Sequence, residues 1–117
     1  MQGLWTIEFG SSAGIYGSGV IIIREGKIKG GDATYYFDGS YEAADPADSY
    51  PAKFKAKILV KPFIPGAESV FKTYDKDLTL DLEGTLKDKD NAVAVGKPEE
   101  FPEMNVGIRM TRRGEAA

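Results

Sequence analysis

Between Lys53 and Lys61 the chain alternates with a period of two, broken at Leu59. Phe54, Ala56, Ile58 and Val60 fall on one side; Lys53, Lys55, Lys57 and Lys61 fall on the other. Successive side chains of a strand point to opposite faces, so this segment reads as a half-buried β-strand and cannot read as an amphipathic helix. The pattern recurs along the chain. Trp5, Ile7 and Phe9 oppose Leu4, Thr6 and Glu8. Tyr35, Phe37, Gly39 and Tyr41 share one face of the segment Thr34–Glu42. Leu78, Leu80 and Leu82 oppose Thr79, Asp81 and Glu83. Val106, Ile108 and Met110 carry it again near the end. Val20–Ile23 is apolar without interruption, which suggests apolar contacts on both faces of a strand over 18–24.

The links between these segments are short. Glu25-Gly26 is a two-residue hairpin link, where glycine supplies the positive φ such turns need. A short strand follows from Lys27 to Gly30, and Gly30-Gly31-Asp32 is read as a sharp reversal. Ala43–Pro51 is a polar turn, and Pro62 and Pro65 end the fifth strand. Residues 66–72 lose the alternation and are read as a short helical turn. Asp88–Asn91 is a charged turn, followed by a strand over 92–97, a loop over 97–103 and a frayed tail from Gly114. Eight short strands, each with one apolar face, fit an all-β antiparallel up-and-down barrel, lipocalin-like, in a single domain over 1–117. A two-sheet sandwich is the rival. Closure removes edge strands, and few residues here are spent on edge protection.

Composition narrows the chemistry. The 117 residues contain neither cysteine nor histidine. That excludes disulfides, thiolate and imidazole metal sites, and the nucleophile–histidine mechanisms. With 15 basic and 18 acidic side chains the net charge is −3, which argues against direct nucleic-acid binding. No apolar run is long enough to span a bilayer as a helix, and no signal peptide is visible, so a cytoplasmic location is expected. Carboxylates are the remaining acid–base candidates. The close pairs Asp45/Asp48 and Asp88/Asp90 sit in turns and read as solvated. Gly10–Gly17 is glycine-rich, but it leads into a strand and offers a phosphate no helix N-terminus; it is read as a rim loop. No catalytic, metal or cofactor residue is expected.

Gly3-Leu4-Trp5 resembles the strand-one signature of lipocalin-like barrels. There the indole plugs one end and a late arginine packs over it. Arg112, on the face of Val106, Ile108 and Met110, is the first candidate for that arginine; Arg109 is the second. Such a contact contributes about 0.5–2 kcal/mol.

A longer block is more specific. Val20–Ile23, Glu25-Gly26-Lys27, Gly30-Gly31-Asp32 and Tyr35–Tyr41, with Gly39 before the last tyrosine, resemble the GrlR-type family. These are small bacterial proteins typified by a negative regulator of type III secretion. Residues 69–71, the stretch 78–85 and the arginine-bearing last strand are similar too. The resemblance implies a lipocalin-like barrel, a homodimer and no enzymatic activity. In the typifying regulator the barrel sequesters a transcriptional activator, and a Glu-Asp-Glu-Asp run after the tyrosine-rich strand matters there. The matching loop here carries Glu42, Asp45 and Asp48, broken by Pro46.

Two surfaces therefore qualify for protein contact: the 42–50 loop, with Glu42, Asp45 and Asp48, and the basic row Lys53, Lys55 and Lys57. The rival function is a carrier of one small apolar ligand, lined by Phe9, Ile22, Phe37, Phe54, Ile58, Leu80 and Ile108. Folding roles fall to Gly3, Trp5, Gly30, Gly31, Asp32, Gly39, Tyr41 and Arg112. Asp32 is expected to accept backbone N–H bonds in its turn. Gly39 is expected to leave room for an aromatic ring.

Overall fold

The computed structural model describes residues 1–11, 14–43, 49–66 and 77–115. Eight strands run in chain order: β1 (Gly3–Ser11), β2 (Gly14–Arg24), β3 (Lys27–Gly31), β4 (Tyr35–Ala43), β5 (Ala52–Pro62), β6 (Leu78–Asp88), β7 (Asn91–Pro98) and β8 (Val106–Gly114). Each pairs antiparallel with the next, and β1 pairs with β8 to close the barrel. The architecture is the all-β up-and-down barrel expected from the alternation. The helical turn expected over 66–72 lies, apart from Gly66, outside the described residues.

Closure follows from the pattern. Every strand puts an apolar set on one face, and the closed sheet buries these sets against one another while leaving no edge strand. Trp5, Ile7, Ile21, Ile23, Ile28, Tyr35, Phe54, Ile58, Leu82 and Met110 are all buried within. The β2–β3 hairpin turns through Glu25 (φ 52°) and Gly26 (φ 79°), the two left-handed positions of a tight turn compatible with sheet twist. Asp88 organises the β6–β7 hairpin: its Oδ1 accepts the Asp90 N–H at 2.8 Å and the Asn91 Nδ2–H at 3.1 Å.

These bonds hold the Asp88 carboxyl below its ordinary pKa of 3.8. A carboxyl depressed in the folded state stabilises above its unfolded pKa, and that stabilisation is lost as pH falls through the folded value. Asp88→Ala is therefore expected to lower the urea midpoint at pH 7. The difference from wild type should shrink as pH drops well below 3.8. A constant difference between pH 7 and pH 2 would contradict this assignment.

Several expectations need correction. Residues 10–17 are not a rim loop. β1 runs to Ser11 and β2 begins at Gly14, so most of the segment is paired strand. At Gly17 a Cβ would lie 2.9 Å from Cζ of Phe9, so glycine there leaves space for that ring. β2 is not apolar on both sides of a core: Ile21 and Ile23 are buried, but Val20 and Ile22 are 45% and 41% exposed. Gly30 and Gly31 do not form a reversal. Both lie in β3, paired with Phe37 and Tyr36, and the turn follows them. Gly114 belongs to β8, opposite Leu4, rather than to a frayed tail.

Gly39 does not make room for an aromatic ring. A Cβ there would lie 2.3 Å from the Lys57 carbonyl oxygen and 2.9 Å from the Ile58 Cα. The neighbour is the backbone of β5. A ring does need a glycine, but elsewhere: a Cβ at Gly84 would lie 2.3 Å from Cζ of Phe54.

Candidate ligand cavity and outer surface

The inward faces do not fill the barrel completely. A cavity of about 100 Å³ remains along the interior. Of the seven expected liners, Phe9, Phe37, Phe54, Ile58, Leu80 and Ile108 face it. Ile22 does not; it pairs with Leu4 and Lys29 and points outward. A one-residue offset decides this, because neighbours along a strand face opposite sides. Met1 and Asp32 also line the cavity and were not expected to.

One end is sealed by the residues of the Gly3-Leu4-Trp5 signature. Trp5 is fully buried, and its Nε1–H donates to the Met1 carbonyl at 2.9 Å. Arg112 stands opposite Trp5 in the β1–β8 ladder. Its Nε–H donates to the Gln2 carbonyl at 2.9 Å, and its guanidinium lies 3.9 Å from Asp90. Gly3 is required by this packing: its φ is +150°, and a Cβ would sit 2.5 Å from Nε of Arg112. The Gln2 side chain adds a bond from the Glu25 N–H at 2.9 Å. The Met1 amine, placed here, has its pKa lowered by burial first and by Arg112 second. Arg109, the second candidate, is exposed and faces Glu8 at 3.8 Å.

Links alternate between the two ends of an up-and-down barrel, so the β3–β4 and β5–β6 links lie at the other end. Asp32 is there. Its Oδ1 accepts the Thr34 and Tyr35 N–H groups at 2.8 and 2.7 Å, as expected for an aspartate heading a turn. Phe63, whose N–H donates to the Thr34 carbonyl at 2.9 Å, and Ile64 are both exposed at this mouth. Phe101 and Met104, in the β7–β8 link, pack partly against the core.

The basic row is solvent-facing, and acidic partners stand across the ladder. Lys55 lies 3.8 Å from Glu83, and Lys57 lies 3.9 Å from Asp81 and 2.9 Å from Glu99. The Glu99 hydrogen bond, helped by the charges of Glu99 and Asp81, raises the Lys57 pKa above 10.5. Lys53 is exposed and pairs in register with Thr85. Such exposed pairs each contribute about 0–1 kcal/mol. Glu42 is exposed at the end of β4; Asp45 and Asp48 lie outside the described residues. Asp88 and Asp90 are together in the β6–β7 turn and are engaged in organising it.

A different surface emerges that the sequence reading missed. Val20, Gly31 and Tyr36 form one register row across β2, β3 and β4; Leu4 and Ile22 sit in the next row. Val20, Ile22 and Tyr36 are each more than 40% exposed. Gly31 adds no side chain between Val20 and Tyr36. Beside it, Lys29 and Asp38 form an ion pair at 2.7 Å, and Lys29 holds the Asp38 carboxyl below its ordinary pKa. The alternation around Val20–Ile23 carried no polar residue to mark which pair faced out.

No family model and no curated protein matches the chain. Among the described residues, no group of three or more carboxylates could hold a metal ion. No helix of the described structure is long and apolar enough to cross a membrane.

Proposed function

We propose that this protein is a non-enzymatic barrel that regulates by binding another protein, in the manner of the GrlR-type negative regulators it resembles. The observation that carries this reading is the outward apolar strip of Val20, Ile22 and Tyr36, continued by Leu4. Apolar side chains grouped on an otherwise charged surface mark contact sites more often than scattered ones do. The reading includes a cytoplasmic location, homodimer formation and a partner that is a regulatory protein. Glu42, at the end of β4, and the row Lys53–Lys57 would flank the contact and set its electrostatics.

The test is capture from the source cells. Wild type is expected to retain a regulatory protein at physiological salt. The double variant Ile22→Lys/Tyr36→Lys is expected to lose it while keeping the wild-type urea midpoint, because both side chains already face solvent. Recovery of nothing but the protein itself, across growth conditions, removes the basis of this reading. Sedimentation velocity is expected to give twice the 12.7 kDa chain mass.

A second reading is favoured by a specific observation, the interior cavity: a carrier of one small apolar ligand. Native mass spectrometry of protein purified without denaturation separates the two. A small organic adduct supports the carrier, and a bare mass counts against it.

A further inference from the structure

The cavity has a chemistry of its own, and it selects more narrowly than apolar character alone. Its walls are hydrocarbon and aromatic side chains, with the tyrosines Tyr35 and Tyr41 among them. Among the described residues lining it there is no lysine or arginine, and Asp32 is the one charged side chain. No buried side-chain nitrogen or oxygen among the described residues lacks a hydrogen-bond partner. A ligand's ionised head would lose its water in a space walled almost wholly by hydrocarbon and aromatic side chains. Binding sites for carboxylate ligands ordinarily supply the opposite, a cation or a cluster of N–H donors.

Asp32 is also fixed in place. Its Oδ1 accepts two backbone N–H groups, at 2.8 and 2.7 Å, so the carboxylate cannot swing out of the cavity without breaking the β3–β4 turn. It is half-buried at the end opposite the Trp5 seal. The size of the space sets the other limit. An apolar cavity of about 150 Å³ accepts benzene or xenon, and the volume here is about 100 Å³.

We infer that the interior takes one small neutral apolar molecule, of benzene or short-alkyl size, and rejects the carboxylate of the same length, with Asp32 as the residue that discriminates. This rests on the carrier reading and adds to it a ligand class and a specificity residue. The like charge of Asp32 repels an anionic head, and among the described lining residues no lysine or arginine side chain offsets it.

Titration of the full chain with 1-hexanol and with hexanoate at pH 7, followed by methyl NMR, tests this. Hexanol is expected to shift the methyl signals of Ile58, Leu80 and Ile108, with hexanoate binding at least tenfold more weakly. Asp32→Asn keeps an Oδ1 acceptor for the Thr34 and Tyr35 N–H groups and removes the charge. It is expected to raise the affinity for hexanoate at least threefold relative to that for hexanol. Equal Kd values for hexanol and hexanoate in wild type would overturn the inference and leave the carrier reading standing. An unchanged ratio of hexanoate to hexanol affinity in a folded Asp32→Asn variant would remove Asp32 as the discriminating residue. Should that variant not fold, the wild-type pair of ligands still decides the ligand class. Absence of methyl shifts with hexanol, benzene and xenon would overturn the inference and the carrier reading together.

Discussion

Trp5→Ala is expected to destabilise the barrel by about 3–5 kcal/mol, the range for truncating a buried aromatic core residue. In a chain of this size that lowers Tm by roughly 10–25 °C. Three observations set the magnitude. The indole is fully buried. Its N–H is bonded to the Met1 carbonyl, so truncation also orphans an acceptor and releases the N-terminal residues from the barrel end. Its partner in the β1–β8 ladder, Arg112, then loses the neighbouring bulk. Trp5→Phe keeps most of the bulk and loses the hydrogen bond, so its cost should be smaller, about 1–2 kcal/mol. Trp5 is the chain's one tryptophan, so the transitions are followed by circular dichroism rather than fluorescence. A Trp5→Ala midpoint within 1 kcal/mol of wild type would mean that the seal contributes little to the fold.

Gly39→Ala is expected to be nearly as damaging, from the addition of a single methyl group. The new Cβ would lie 2.3 Å from the Lys57 carbonyl oxygen, and a strand backbone cannot move aside without breaking its ladder. Gly30→Ala meets the same problem: its Cβ would lie 2.1 Å from the Val20 carbonyl oxygen and 2.7 Å from the Ile21 Cα. Overpacking typically costs about 1–3 kcal/mol where side chains can adjust, so a clash with backbone belongs at or above the top of that range. Gly107→Ala is the control. Its nearest neighbour would be 3.6 Å away, an ordinary contact, and the change should stay within about 0.5 kcal/mol. Urea denaturation of the three variants checks the ranking. Equal stability of Gly39→Ala and Gly107→Ala would show that β4 and β5 are not held as close as the geometry has them.

The two results bear on different parts of what the residues disclose. That Trp5 belongs to the interior was legible from its alternation with Ile7 and Phe9. That its seal is completed by Met1 and Gln2 was not, because the bonds run to backbone carbonyls, and a backbone carbonyl carries no residue signature. Gly39 and Gly30 were recognisable as structurally required. The reason was not, because close approach of a neighbouring strand depends on barrel coiling rather than on local pattern. Inward liners such as Ile58 and Leu80 followed from period-two reading, since lysines or acids flank them. Ile22 did not, since Val20–Ile23 contains no polar residue to break the symmetry between the two faces. The same ambiguity concealed the outward strip with Tyr36. Asp32 was correctly read as an acceptor in its turn. Its place on the cavity wall required knowing which end of the barrel that turn closes.

The sequence by itself determined that the chain is built of eight strands with one apolar face each, and that its chemistry must proceed without cysteine or histidine. Local alternation and composition carry both, and neither depends on which strands meet. The tertiary structure alone decided that the free space is about 100 Å³, that Ile22 belongs to the surface, and that the one charged side chain among the described lining residues is Asp32. Those are properties of closure. Pairing β1 with β8, and the register of each ladder, determine which side chains converge on the axis and how nearly they fill it. Neither is encoded within a single strand.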